Sequence, residues 1–265
     1  MKRTELHSSA DQRNVSHQPA SQRWVAQLKI ALVALAVLAI TQIFFFDSRL
    51  TPAATAHQEA GRRAERFDFL VREDFFAGMA GDQEKFRRAL KLCEETLAKN
   101  PKHAEAMVWH GSGLLFMGGQ SFQKGEMQKG AELWERGQKE MDAAIALEPD
   151  NVGVRIARGA TYIQSSKYVP MPAQALAMLE TGVGDYEKAL ELQKPYFDKL
   201  GVHARGELLW GLAEGSQRLG NKEKARGYAE RMVKECAGSA YAERAKALLD
   251  NRKPASTTCT GCHAR

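Results

Sequence analysis

Cysteine is scarce: four residues, Cys93, Cys236, Cys259 and Cys262, in a chain of 265. That is too few per residue for a secreted fold built on disulfides. Proline is scarce as well, with 8 residues, and no apolar–polar alternation bounded by hairpin turns occurs anywhere. Both absences set β architectures aside. The chain has no Gly-rich phosphate loop, no G-x-S-x-G and no H-E-x-x-H, so the enzyme classes built on those motifs are excluded. No enzyme with its own substrate pocket finds support. Charge of one sign is also modest. Residues 1–29 hold Lys2, Arg3, Arg13, Arg23 and Lys29 against Glu5 and Asp11, and of the net +6 only +3 is left for everything after Phe46. Without an aromatic–basic stripe, such a field is too weak for a phosphate backbone, and nucleic acid is excluded as a partner.

What is abundant are helix formers: Ala, Leu, Glu, Lys and Arg, within 44% apolar and 26% charged residues. That is ordinary globular usage, and it predicts an all-α chain. One stretch departs from it. Ile30–Phe46 (IALVALAVLAITQIFFF) is uncharged over seventeen residues, and at ~26 Å as a helix it nearly matches a hydrocarbon core of about 30 Å. Trp24 and Phe44–Phe46 sit where interfacial aromatics belong, and Lys29 can snorkel to the headgroups. Ala54-Thr55-Ala56 has the form of a cleavage site but lies well past the apolar run, so an uncleaved anchor is expected. The excess of basic residues ahead of the span places the N-terminus inside. The expected organisation is a cytoplasmic tail 1–23, a transmembrane helix 24–46, a linker 47–66, a helical domain 67–250 and a flexible tail 251–265.

Within the helical domain the sequence repeats itself. Pro101 and Gly111 recur as Pro149 and Gly159, offset by 48 residues, each proline closing an Ala/Leu-rich run. Gly184-Asp185-Tyr186-Glu187-Lys188-Ala189, Gly220-Asn221-Lys222-Glu223-Lys224-Ala225 and Gly81-Asp82-Gln83-Glu84 share a turn-like pattern. These elements resemble the tetratricopeptide repeat, a helix–turn–helix unit of about 34 residues. The resemblance covers roughly residues 67–250 in three or four degenerate copies, with Pro170 and Pro172 interrupting the third. It implies a helical-hairpin solenoid behind the transmembrane helix, with a concave surface for a protein partner. Family members that clamp a peptide carboxylate carry Lys and Asn on their first helices. The matching positions here are Val108 with Ser112 and Ile156 with Ala160, which implies an apolar groove without that clamp.

Periodicity supports helices independently. Ala104, Met107, Val108, Leu114, Leu115 and Phe116 recur at helical spacing around Gly111 and Gly113. Gln123–Leu147 reads as one long helix with Leu133, Trp134, Met141, Ala144 and Ile145 along one side. Gly130 and Gly137 inside it cost about 1 kcal/mol each relative to Ala, which predicts a close helix approach there. Cys93 and Cys236 read as buried structural thiols, and Trp134 and Trp210 as core residues. His57, His103, His110 and His203 lack metal-ligand spacing.

The tail ends in Cys259-Thr260-Gly261-Cys262-His263. From residue frequencies alone such a Cys-x-x-Cys-His string has a chance expectation of ~0.002 in this chain. Zinc would need further ligands that the tail lacks, and a dithiol–disulfide site of the thioredoxin kind would need a βαβ context. The five residues resemble the attachment motif of c-type cytochromes. That resemblance implies a covalent haem c bound through Cys259 and Cys262, with His263 as axial iron ligand. Haem attachment outside the cytoplasm then implies a single-pass inner-membrane protein with a periplasmic C-terminal domain. The expected role is a scaffold for electron transfer or redox-complex assembly. A pure interaction scaffold with a structural thiol pair and a helper in cytochrome maturation remain as alternatives.

Overall fold

The structure, a computed structural model, describes residues 66–252. The expected membrane span at 24–46 and the Cys259–His263 motif lie outside them. Within the described residues there are α-helices α1 (Asp68–Met79), α2 (Gln83–Lys99), α3 (Ala104–Gln123), α4 (Met127–Leu147), α5 (Val152–Ser165), α6 (Pro172–Gln193), α7 (Val202–Arg218), α8 (Lys222–Glu235) and α9 (Ala240–Leu249), with a 3-10 segment, Lys194–Lys199, between α6 and α7. No strand occurs among them, and no described helix is long and apolar enough to cross a membrane. Consecutive helices pack as hairpins, α1 with α2, α3 with α4, α5 with α6 and α7 with α8, and α9 closes against α8.

Local chemistry sets most of the boundaries. Asp82, Asn151, Asn221 and Ser239 each accept the backbone N–H three residues on, starting α2, α5, α8 and α9. The His103 ring does the same for α3 through Nδ1. Such caps contribute about 1 kcal/mol apiece. The turns after α1, α3 and α7 are alike: Gly81, Gly125 and Gly220 take positive φ, where a side chain is disfavoured. In each, the N–H groups of the glycine and of the residue after it reach back to the helix carbonyls, as in Gly220 N–H to Gln217 O and Asn221 N–H to Ser216 O. This is the Schellman arrangement. The end of α9 repeats it with Asn251 at positive φ and Arg252 N–H bonded to Ala247 O.

The first helices of successive hairpins begin at Asp68, Ala104, Val152, Val202 and Ala240, spacings of 36, 48, 50 and 38 residues. The outer units therefore approach the expected repeat length, while the central two are longer. The 48-residue proline offset measures the long α3–α4 hairpin, whose helices run 20 and 21 residues.

Three expectations require correction. Gly184–Ala189 is no turn; it lies inside α6, because Pro172 at the first helical position starts that helix twelve residues earlier. Asp185 does not cap a helix but is buried at 1% exposure. The long helix expected from Gln123 begins at Met127 instead, since Gly125 makes the α3–α4 turn. The hairpin that Pro170 and Pro172 seemed to interrupt is intact, with a longer loop, Ser166–Met171, in place of a glycine turn.

The core has two clusters, one centred on Phe75, Val108 and Met141, the other on Leu208, Leu212 and Met232. Trp134 and Trp210 pack half-buried against these clusters, as expected. The helix pairs cross on glycines, also as expected. A Cβ on Gly137 would sit 2.5 Å from the Gly111 carbonyl oxygen, and one on Gly118 would sit 2.9 Å from that of Gly130. Gly184 is different, since nothing lies within 4 Å of a Cβ there. Gly184→Ala is therefore expected to stabilise the protein by about 0.5–1 kcal/mol through helix propensity. Thermal unfolding should show a rise of roughly 1–4 °C; a fall would mean that Gly184 meets something the helix hairpin itself does not provide.

Candidate functional site

Of the four cysteines, the structure accounts for two. Cys93 on α2 and Cys236 at the end of α8 are free thiols with no exposed surface. Burial pushes the Cys93 thiol far up, with the Glu94 and Glu140 charges adding to it, and burial likewise raises Cys236. Both effects favour the neutral thiol, and burial keeps both sulfurs away from partners in solution. Both are core residues, as the sequence indicated.

The described histidines are also engaged structurally. His103 caps α3, and His203 lies beside Tyr241 and Glu207. His110 is buried at 4% exposure, with Nδ1 against the Glu140 carboxylate. Burial alone would raise the Glu140 pKa, but hydrogen bonds from His110 and Arg136 hold it below the ordinary value. Among the described residues no three His, Cys, Asp or Glu side chains cluster as a metal would require.

The positions expected to line an apolar groove do not all face one. Val108 and Ser112 are buried, the Ser112 hydroxyl bonding the Val108 carbonyl and Thr161 Oγ1, each at 2.8 Å. Ile156 and Ala160 are half-buried against the second core cluster. Long helices crossing on glycines draw these positions inward.

Two features carry no obvious sequence signal. The first is a buried ionic network. Asp185 of α6 accepts from Arg158 Nε at 2.6 Å and Nη2 at 2.9 Å, and from Arg155 Nη1 at 2.7 Å. Arg158 Nη1 also reaches Asp142 of α4 at 2.8 Å. This network binds α4, α5 and α6 together.

The second feature is the α5–α6 loop. Tyr168 is 81% exposed, Met171 56% and, one turn into α6, Leu176 48%. The loop is held at its base. Arg218, the last residue of α7, donates to Ile163 O and to Ser166 Oγ at 2.8 Å each, and Lys167 pairs with Glu214. The C-terminal ends of α5 and α7 are thus side by side. Because α6 and α8 each reverse the chain, α5, α7 and α9 run in the same direction, and α9 ends on that same edge.

The chemistry of Cys259, Cys262 and His263 suits the group that the motif implies, since two thiols can form thioethers and an imidazole can ligate iron; all three lie outside the described residues. The described residues form an all-helical domain of sequentially packed hairpins. Compared with known proteins, the chain matches no family model, no curated protein and no solved structure.

Proposed function

We propose that this chain is a membrane-anchored tetratricopeptide-type scaffold on the outer side of the inner membrane. Its tail carries one covalent haem c, for electron transfer or for assembly of a redox complex. The observation that carries the reading is Cys259-Thr260-Gly261-Cys262-His263. It is supported by the burial of Cys93 and Cys236, which removes the competing thiols. When bound, the haem supplies a one-electron iron couple. Cys259 and Cys262 would hold it through thioether bonds, and His263 would ligate its iron. The helical hairpins, spaced close to the tetratricopeptide length at both ends of the domain, present the surface on which a partner protein docks. Residues 24–46 keep that surface at the membrane.

The full chain, produced in a host that attaches haem to c-type apocytochromes and purified in detergent, is expected to show one c-type haem per chain in its pyridine absorption spectrum. Cys259→Ser with Cys262→Ser should abolish it. A wild-type protein without that spectrum overturns the haem reading and leaves an interaction scaffold or a cytochrome-maturation helper.

A further inference from the structure

One stretch of the described surface has an unusual make-up. From Lys167 to Ala177, across the α5–α6 loop and the start of α6, only Val169 and Ala175 are not exposed. Its large apolar side chains are Tyr168 at 81%, Met171 at 56% and Leu176 at 48%. Between Arg158 and Glu180 the single charged residue is Lys167. The loop is also firmly held. Val169 turns in against the first core cluster, and Arg218 clamps the base. The N–H groups of Lys167 and Tyr168 bond back to the carbonyls of Gln164 and Ser165. An exposed apolar patch marks a surface that meets either another protein or a membrane.

Two observations favour the membrane. A protein interface carries about one hydrogen bond per 100–200 Å². The side chains from Tyr168 to Ala177 offer only the Tyr168 hydroxyl and the Gln174 amide, and Pro170 and Pro172 have no N–H to give. A partner chain would find few groups to bond, whereas a bilayer interface needs none and suits an amphipathic tyrosine. Charge points the same way. Lys167 stands at the root of the apolar run, where lipid headgroups would lie, and Glu214 pairs with it there. Glu180 comes only after the run has ended, so no carboxylate within it opposes an anionic lipid surface.

Resting on the reading of residues 24–46 as a membrane anchor, we propose that the α5–α6 loop docks on the lipid surface, with Tyr168, Met171 and Leu176 entering the boundary between headgroups and acyl chains. The expected linker 47–66 extends at most about 70 Å. The bilayer therefore stays close to the domain, and docking is a tethered step rather than capture from solution. The loop edge then faces lipid, and the other faces of the hairpins stay open to a protein partner.

The test uses the full chain with Cys259→Ser and Cys262→Ser, reconstituted in vesicles of phosphatidylethanolamine and phosphatidylglycerol. Cys93 and Cys236 are buried and stay unlabelled. An environment-sensitive fluorophore is placed on one introduced cysteine at a time: Tyr168→Cys in the loop, Ala36→Cys in the expected span, and Lys139→Cys on α4, where the side chain is 74% exposed. The label at 168 should brighten, shift to the blue and be quenched by nitroxide-bearing lipids, as should the label at 36. The label at 139 should stay dim and be quenched only by aqueous iodide. Adding Met171→Glu and Leu176→Glu should return the label at 168 to the behaviour of 139. Lipid quenching at 36 but not at 168 overturns the docking, leaves the anchor standing and turns the loop over to a protein partner. Lipid quenching at 168 that survives the two glutamates, or that 139 shares, also overturns it. Quenching by iodide alone at both 36 and 168 overturns the anchor and the docking together.

Discussion

Asp185→Ala is expected to cost about 3–5 kcal/mol of folding stability, the usual penalty for stripping one partner from a buried ion pair. The carboxylate is 1% exposed and takes three hydrogen bonds, two from Arg158 and one from Arg155. Without it, Arg158 keeps only Asp142, whose side chain is 59% exposed. A guanidinium is then left in the interior with most of its donors unanswered, and that cost exceeds whatever the pair contributed. Replacing Asp185 and Arg158 together by Leu should recover much of the loss, since the uncompensated charge goes with its partner. Urea unfolding checks this through a lowered midpoint at unchanged slope. A single-mutant loss under about 1 kcal/mol would mean that water reaches the pair and that the network behaves as a surface one.

Gly137→Val is expected to be comparably damaging. The added Cβ would stand 2.5 Å from the Gly111 carbonyl oxygen and 2.9 Å from the Leu115 nitrogen. Both are backbone atoms of α3, so no rotamer change relieves the contact, and α3 and α4 must separate. Overpacking of this kind costs typically 1–3 kcal/mol. The upper end applies here, because opening the hairpin also exposes Met141 and Leu115, both fully buried. Gly111→Val meets the same carbonyl pair from the other side, so the double variant should lose less than the sum of the singles. The contrast with Gly184→Ala is informative. The same kind of residue, in the middle of a helix, has opposite expected effects according to whether another backbone lies across from it.

The difference between the two glycines is one of tertiary contact, not of local sequence. The turns at Gly81 and Gly220 were legible because their cause is local: a left-handed residue followed by a capping Asp or Asn. The end of the helical region near Leu249 was legible for a similar reason, since the apolar pattern stops there. Burial of Cys93 and Cys236 followed from their place on amphipathic helices. Gly184-Asp185 carries the same two letters as Gly81-Asp82, yet it sits inside α6. What distinguishes the two is Arg158, 27 residues away in sequence, whose guanidinium gives Asp185 a buried partner.

The sequence by itself determined the helical class, the helix-ending chemistry and the chemical identity of Cys259-x-x-Cys262-His263, because each depends on residues within a few positions of one another. Only the tertiary structure decided the rest. It turned Val108 and Ser112 inward and made Gly111 and Gly137 a contact. It also tied the base of the α5–α6 loop to the end of α7 through Arg218. These depend on which helix faces lie opposite each other after folding, and local propensity does not specify that.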